Sequence, residues 1–241
     1  ALEGARMTLE LPADRPRPPV QTFNGARSTH EFSSETRERL HEVARQYGVT
    51  PFVTMLGAFH AFLYRLTGQD DIILGSPSST RTRTEAENLI GFFVNTLVLR
   101  GDLSGRPTFA DVLSRTRATA MDAFANSDLP FDSLVRELSV DRDPSRNPVF
   151  QVMFALFPSV REIAMSGLEV ESLDVDTGGA QIDLTLYVSD GADSLRGIFE
   201  YNADLFDEQT IVGFSKCFET LLSSMLSDPD EEVDALPFIS N

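Results

Sequence analysis

Imidazole and thiol chemistry is scarce in this chain: 241 residues carry three histidines, His30, His41 and His60, and one cysteine, Cys217. Four such groups, scattered singly, do not make a conventional zinc site, which needs Cys or His in closely spaced pairs. No GxxxxGK[ST] phosphate loop, GxGxxG fingerprint or GxSxG elbow occurs, so phosphate cradling, dinucleotide binding and a hydrolase triad have no support. The neighbouring carboxylates Asp70 and Asp71 sit where a strand is expected to begin and read as solvated turn residues. His60 stands alone in an apolar run and reads as a core histidine. Cys217 falls in an apolar helical pattern and reads as a small buried hydrophobe. What remains is a series of polar residues set in short, ordered strings. Gly91-Phe92-Phe93-Val94-Asn95-Thr96 runs on to Arg100. Asp128-Leu129-Pro130-Phe131-Asp132 is followed by Leu134, Val135 and Leu138. Asp143-Pro144-Ser145-Arg146-Asn147-Pro148 leads into Val149-Phe150-Gln151-Val152-Met153-Phe154.

These strings must be positioned by regular elements. Ser33 or Ser34 opens a helix whose Leu40, Val43, Ala44 and Tyr47 make one buried stripe, and Gly48 ends it. Thr50-Pro51 is an N-cap followed by proline at the first helical position. The helix it starts is apolar nearly all round to about Leu66, as a central buried helix would be. Asp71 to Ser76 reads as a buried strand, Pro77 to Asn88 as a polar loop, and Phe93 to Arg100 as a second strand. Strict alternation there puts Phe93, Asn95, Leu97 and Leu99 on one face and Val94, Thr96, Val98 and Arg100 on the other. Helices are expected over Thr108 to Ala125 and Pro130 to Leu138, and a central strand over Val149 to Phe157. Asp183 to Ser189 and Leu195 to Tyr201 read as a hairpin about Asp190-Gly191. A last helix runs from Asp207 to about Leu226. Thr29 to Phe32 reads as a short strand, and the glycine-marked stretch between Phe157 and Ile182 as a long mobile excursion. The order predicts an α/β protein, a two-layer sandwich of a mixed β-sheet with helices.

Composition bounds the function. Net charge is −17, but the first 148 residues carry 17 arginines against 19 acids, whereas residues 149–241 carry three basic residues against 18 acids. An acidic second portion and no basic face make nucleic acid a poor partner. No run of about eighteen uninterrupted apolar residues exists, so a membrane span is not expected. A single cysteine fits a reducing cytoplasm. Four prolines between Pro12 and Pro19 predict a stiff, extended connector.

The three strings, preceded by Gly75-Ser76-Pro77 with Arg81 and closed by Glu200-Tyr201-Asn202-Ala203-Asp204-Leu205-Phe206, resemble the later core motifs of condensation domains of nonribosomal peptide synthetases. Family order is kept throughout. One departure is Asn126-Ser127-Asp128, where the family often has His-Gln-Asp before Leu-Pro-Phe. The paired-histidine motif HHxxxDG, which carries the family's chemistry, is not in this chain. The resemblance therefore implies residues 1–28 as the Pro-rich connector between lobes and 29–241 as the C-terminal, chloramphenicol acetyltransferase-like lobe, without the upstream catalytic lobe and with no catalytic residue of its own. It further implies partners: the upstream lobe, donor and acceptor peptidyl carrier proteins, and adjacent synthetase domains. No cofactor is bound directly; the 4′-phosphopantetheine arms of the carriers come as substrates. Arg81 and Asn95, with Thr96 behind them, are the polar groups expected to face the tunnel between lobes; the alternative left open is structural, with Asn95 and Thr96 satisfying neighbouring backbone groups of the sheet. The Phe-Val-Asn-Thr strand points to peptide-forming condensation. Two readings stay open: half of a condensation enzyme, or a non-catalytic lobe that recruits carriers or partners.

Overall fold

The computed structural model describes residues 2–81, 84–138, 143–158, 175, 177–191 and 194–239. Six strands form one sheet: β1 (Gly25–Phe32), β2 (Asp71–Ser79), β3 (Val94–Asp102), β4 (Val152–Pro158), β5 (Leu184–Asp190) and β6 (Leu195–Asn202). Their order across the sheet is β1-β6-β5-β4-β2-β3. β4 runs parallel to both β2 and β5, and the other pairings are antiparallel. The sheet is therefore mixed, as expected.

Helices α1 (Ser34–Gln46), α2 (Pro51–Thr67), α4 (Phe109–Ala125) and α6 (Glu208–Ser227) form the second layer, against the face that buries Ile72, Leu74, Leu99, Phe154, Leu186 and Phe199. The local signals account for their ends. Ser33 accepts from Thr36 N at 3.0 Å, and Thr50 accepts from Val53 N at 3.2 Å ahead of Pro51. Thr108 and Asp111 cap each other reciprocally. Gly68 closes α2 in the left-handed region, φ 71°. Helix α2 is the axis of the layer, with Val53 to Leu63 buried without interruption. Phe59 and Phe62 lie among Phe154, Phe214 and Phe218. His60 is 1% exposed, as a core histidine should be, and its ring fills the place where a Gly101 side chain would stand: a Cβ there would lie 2.5 Å from it.

The opposite face of the sheet is covered differently. A small cluster of Ile73, Val149, Phe150 and Ile182 is closed over by helix α5 (Phe131–Leu138) and by residues near the start of the chain, Leu2, Ala5 and Met7. Phe150 lies flat on Gly75, where a Cβ would come within 2.5 Å of its ring.

Four boundaries depart from the sequence expectations. β1 begins at Gly25, not Thr29, because β6 continues far enough to pair Gly25 with Asn202. β2 continues to Ser79 through Pro77, because β3 offers partners as far as Val94. The loop expected after it holds a short helix, α3 (Thr84–Glu87). Val149 and Phe150 are apolar because they fill the small cluster, and strand β4 starts only at Val152. The excursion expected between Phe157 and Ile182 lies largely outside the described residues.

Candidate functional site

The three polar residues singled out from the sequence converge on one end of the molecule, where β3 begins. Alternation along β3 puts Asn95 on the side of Leu97 and Leu99, which are buried, and Thr96 on the side of Val98 and Arg100. Asn95 uses its whole carboxamide on backbone. Its Nδ2 donates to Ser127 O at 2.9 Å and Leu129 O at 2.8 Å, and its Oδ1 accepts from Phe131 N at 3.1 Å. The last bond satisfies a free N–H in the first turn of α5, so Asn95 caps a helix remote in sequence. Pro130 then fits, since the residue ahead of that turn has no N–H to satisfy.

Arg81 is also committed. Its guanidinium donates to Ala86 O and, at 3.5 Å, to Gly91 O, and it lies over the Phe93 ring 4.2 Å from the centroid. It thereby folds the 84–91 stretch back on the strand ends. The hydrophobic side chains next to it are left outward: Ile90 is fully exposed and Phe92 is 88% exposed, with Leu89 and Val94 beside them about half exposed. Together they make one exposed apolar group around the 84–91 stretch.

Of the three, Thr96 lines the larger groove at this end of the molecule. Thr96, Val98 and Arg100 form the floor of a groove of about 1080 Å³. One wall is α4 and the chain leading to α5, through Thr119, Asp122, Ala123, Asn126 and Leu129; α5 adds Leu134, Glu137 and Leu138. The other wall is Leu2 to Ala5 with Met7. Arg100 is held on the floor by Asp71, Nε to Oδ1 2.7 Å and Nη2 to Oδ2 3.1 Å, and this pairing keeps its guanidinium pKa above the ordinary value. The residues facing this groove were legible in principle: Thr119, Asp122, Ala123 and Asn126 repeat at helical spacing in a stripe that flanks the buried Val112, Thr116 and Ala120. The wall from Leu2 to Met7 was not, because nothing in a chain start signals where it will fold back.

The remaining motif residues serve the scaffold. Asp143 accepts from Ser145 N at 2.8 Å and faces Arg146 Nε at 3.0 Å; the Ser145 contacts hold its carboxyl below the usual range. Asn147 Oδ1 accepts from Val149 N at 3.2 Å. The string is a pair of side-chain-closed turns that deliver the chain into β4. In the closing string, Glu200 binds Arg27 at 2.6 and 2.9 Å, and Asn202 donates to Thr22 O at 3.0 Å while accepting from Asp204 N at 2.9 Å.

None of the histidines reaches the groove. His30 faces Glu219 and His41 faces Asp190, each at 3.0 Å, joining β1 to α6 and α1 to β5. His60 is sealed in the core, where loss of hydration lowers its pKa to about 4 against a small opposing effect of the Leu99 and Leu56 backbone. Among the described residues no group of three or more His, Cys, Asp or Glu could hold a metal ion, and no helix is long and apolar enough to cross a membrane.

Known proteins place this arrangement. The family model described as Condensation domain matches residues 1–241. A linear gramicidin synthase of Brevibacillus parabrevis is 45% identical over 245 residues, 99% of this chain and 5% of that protein. Phosphinothricin tripeptide synthetase PhsB of Streptomyces viridochromogenes is 42% identical over 240 residues, 98% of this chain and 20% of that protein. Among solved structures, holo-AB3403, a four-domain nonribosomal peptide synthetase bound to AMP and glycine, superposes with a TM-score of 0.91 at 24% identity, over 98% of this chain and 19% of that one. The first condensation domain of the calcium-dependent antibiotic synthetase, in complex with a substrate analogue, superposes with a TM-score of 0.79 at 22% identity, over 93% of this chain and 50% of that one. The chain thus spans a small part of these synthetases and half of that separate domain. Motif order, family match and fold agree, and the chain belongs to the condensation-domain family of nonribosomal peptide synthetases.

Proposed function

We propose that this chain is the C-terminal lobe of a peptide-forming condensation domain, one wall of a tunnel in which carrier-bound aminoacyl or peptidyl thioesters are joined. The observation that carries this reading is the match to half of a solved condensation domain by a chain that keeps the later motifs in order and has no HHxxxDG. The two thioesters would arrive on the 4′-phosphopantetheine arms of donor and acceptor carrier proteins, and the acceptor amine would attack the donor carbonyl. In such a transfer, holding two reactants in register supplies roughly 7–11 kcal/mol of the barrier. This lobe contributes positioning. Thr96 is the side chain we assign to the tunnel. Asn95 and Arg81 act behind it, fixing the α5 start and the exposed loop against which the upstream lobe would pack. Ile90 and Phe92 are the apolar contacts that lobe would cover. Proton handling belongs to the upstream lobe, because His30 and His41 face carboxylates away from the groove and His60 lies in the core.

The alternative, a condensation-like lobe that only recruits carriers or partners, has the same fold and differs in what the upstream sequence contains. One assay separates them. Donor and acceptor aminoacyl carrier proteins are supplied to the chain alone, and to the chain with an upstream lobe bearing HHxxxDG, and dipeptide is followed by mass spectrometry. We expect none above background from the chain alone, since general-base catalysis is typically worth about 10²–10⁴, and product when both lobes are present. Turnover by the chain alone at the rate of an intact domain contradicts the proposal. No product from the pair, where the two lobes bind each other, favours recruitment.

A further inference from the structure

The groove runs along an edge of the sheet, because β3 ends the six-stranded order and has β2 on one side only. Bonds at the two ends of the β2–β3 ladder fix which backbone groups face which way. Thr80 N donates to Phe93 O at 2.9 Å, and Leu103 N donates to Asp70 O at 2.7 Å. With Ser76 opposite Leu97 and Leu74 opposite Leu99, bonded pairs recur at every second residue, through Asn95, Leu97, Leu99 and Gly101. The N–H and C=O groups of Thr96 and Val98 therefore point away from β2, into the groove. Among the described residues no hydrogen bond engages them.

Both ends of this open stretch are closed off. At one, the chain from Asn126 to Phe131, tied to Asn95, crosses from the α4 layer to α5. At the other, Arg115 Nη1 donates to Asp102 O at 3.0 Å and to Ser104 O at 2.9 Å. Between them, Thr96 to Arg100 offers roughly 14 Å of edge, the length of about four or five extended residues. Extended backbone elsewhere in the molecule is covered by side chains. Gln151 accepts from Leu9 N at 2.7 Å and donates to Met7 O at 3.2 Å; Gln69 accepts from Glu10 N at 2.7 Å and donates to Thr8 O at 3.0 Å. The β3 edge has no such cover. Nor does Thr96-Leu97-Val98-Leu99 carry the proline, lysine or bulge by which natural proteins blunt an edge against pairing.

The walls state what an added strand must carry. Its side chains would alternate between the two sides of the sheet. On the α4 side they meet Asp122 and Asn126, and on the α5 side Leu134, Leu138 and Met7. Glu3 and Glu137 add carboxylates to the groove, while its cation, Arg100, is already paired with Asp71. We propose that the open β3 edge is a docking site for an extended segment of a partner polypeptide, apolar residues alternating with lysine or arginine, held by main-chain pairing to Thr96 and Val98. A helix laid in the groove would leave these groups unpaired, because its own backbone is already satisfied. A second copy of this chain would set its own Asp122 and Glu137 against these carboxylates. The site stands whether or not the lobe couples carrier-bound substrates. Side chains stand perpendicular to a sheet and its edge lies in the plane, so an added strand leaves the Thr96 hydroxyl the place given to it above.

The test follows amide exchange in β3 by NMR, with acetyl-Val-Lys-Val-Lys-Val amide as probe. In the free chain we expect the Leu97 and Leu99 amides, which serve the ladder, to exchange slowly and those of Thr96 and Val98 quickly. Probe at about ten times its Kd should slow the Thr96 and Val98 amides about tenfold. Methylating one alternate set of the probe's amides should abolish the effect, and methylating the other set should leave it. Val98→Pro removes one outward N–H and no ladder bond, and should weaken the probe about tenfold with the melting transition kept. The methylated probes decide the matter without any variant. No slowing by the probe, Thr96 and Val98 amides already as protected as Leu97 in the free chain, or both methylated probes acting alike would overturn the site. Protection that appears without probe as the chain is concentrated gives the edge to a second copy, and a glutamate-for-lysine probe that acts equally well removes the stated chemistry. Either result contradicts the proposal.

Discussion

The two faces of the sheet obey different rules. Under the helices, side chains are selected by fit: Phe59, Phe62, Phe154 and Phe218 interlock around α2, and even His60 is treated as an apolar shape against Gly101. At the start of β3 and across the opposite face, polar side chains are spent on backbone, and apolar ones such as Ile90 and Phe92 point outward. The helical face makes the lobe stable. The other face carries a smaller cluster, closed over by α5 and residues 2–7. The motif residues divide between the two: Phe154, Tyr201 and Phe206 fill the helical core, while Arg81, Asn95, Asp143 and Asn147 work as struts.

The sharpest way to break this contrast is at the centre of the helical face. Phe59→Ala leaves a cavity among three other rings, and we expect the lobe to lose about 3–5 kcal/mol in denaturant unfolding. A loss below about 1 kcal/mol would mean the helical layer is not the stabilising one.

Acid tests the same face through His60. The unfolded chain takes up a proton at the ordinary histidine pKa of 6.5, whereas the folded ring resists it until about pH 4. Stability is therefore complete above pH 6.5 and falls as pH drops toward 4, by about 3 kcal/mol from this group. Carboxylates contribute to the same limb, so the comparison is with His60→Leu. Its stability should vary less than the parent's as pH falls from 6.5 towards 4, whatever its absolute value. Equal slopes would show that His60 is protonated in the fold.

The other face should respond weakly where it is exposed. Ile90→Ser and Phe92→Ser remove apolar groups that touch solvent, and each should change stability by no more than about 0.5 kcal/mol. A larger loss would mean the loop held by Arg81 is packed into the lobe and is not offered to a partner.

Legibility in the sequence follows the same division. The helical layer could be read from periodicity and caps: Ser33 and Thr50-Pro51 cap where expected, and Thr108 with Asp111 closes the start of a helix expected from its periodicity. Strand limits were less legible. Nothing within Gly25 to Ser28 marks a strand, since β6 imposes the pairing, and Val149-Phe150 are apolar for the sake of a cluster on the far face. For the candidate site, alternation separated Asn95 from Thr96 correctly, but which face met the core depended on α4 and α5, which sequence places only in order. Gln69 and Gln151 carried no signal at all: a glutamine that stands in for a strand is visible only once residues 7–10 lie beside it.

The central claim is that Asn95 is a strut and Thr96 a lining residue. Urea unfolding of Asn95→Ala and Thr96→Val in this chain tests it directly. Removing the Asn95 carboxamide leaves the Ser127 and Leu129 carbonyls and the Phe131 N–H without that partner, which should cost about 1–3 kcal/mol. Thr96→Val keeps the shape and removes a hydroxyl at the groove, which should cost no more than about 0.5 kcal/mol. That order, Asn95 well above Thr96, is the predicted result. Asn95→Ala as stable as the parent, or Thr96→Val the more damaging of the two, would contradict it.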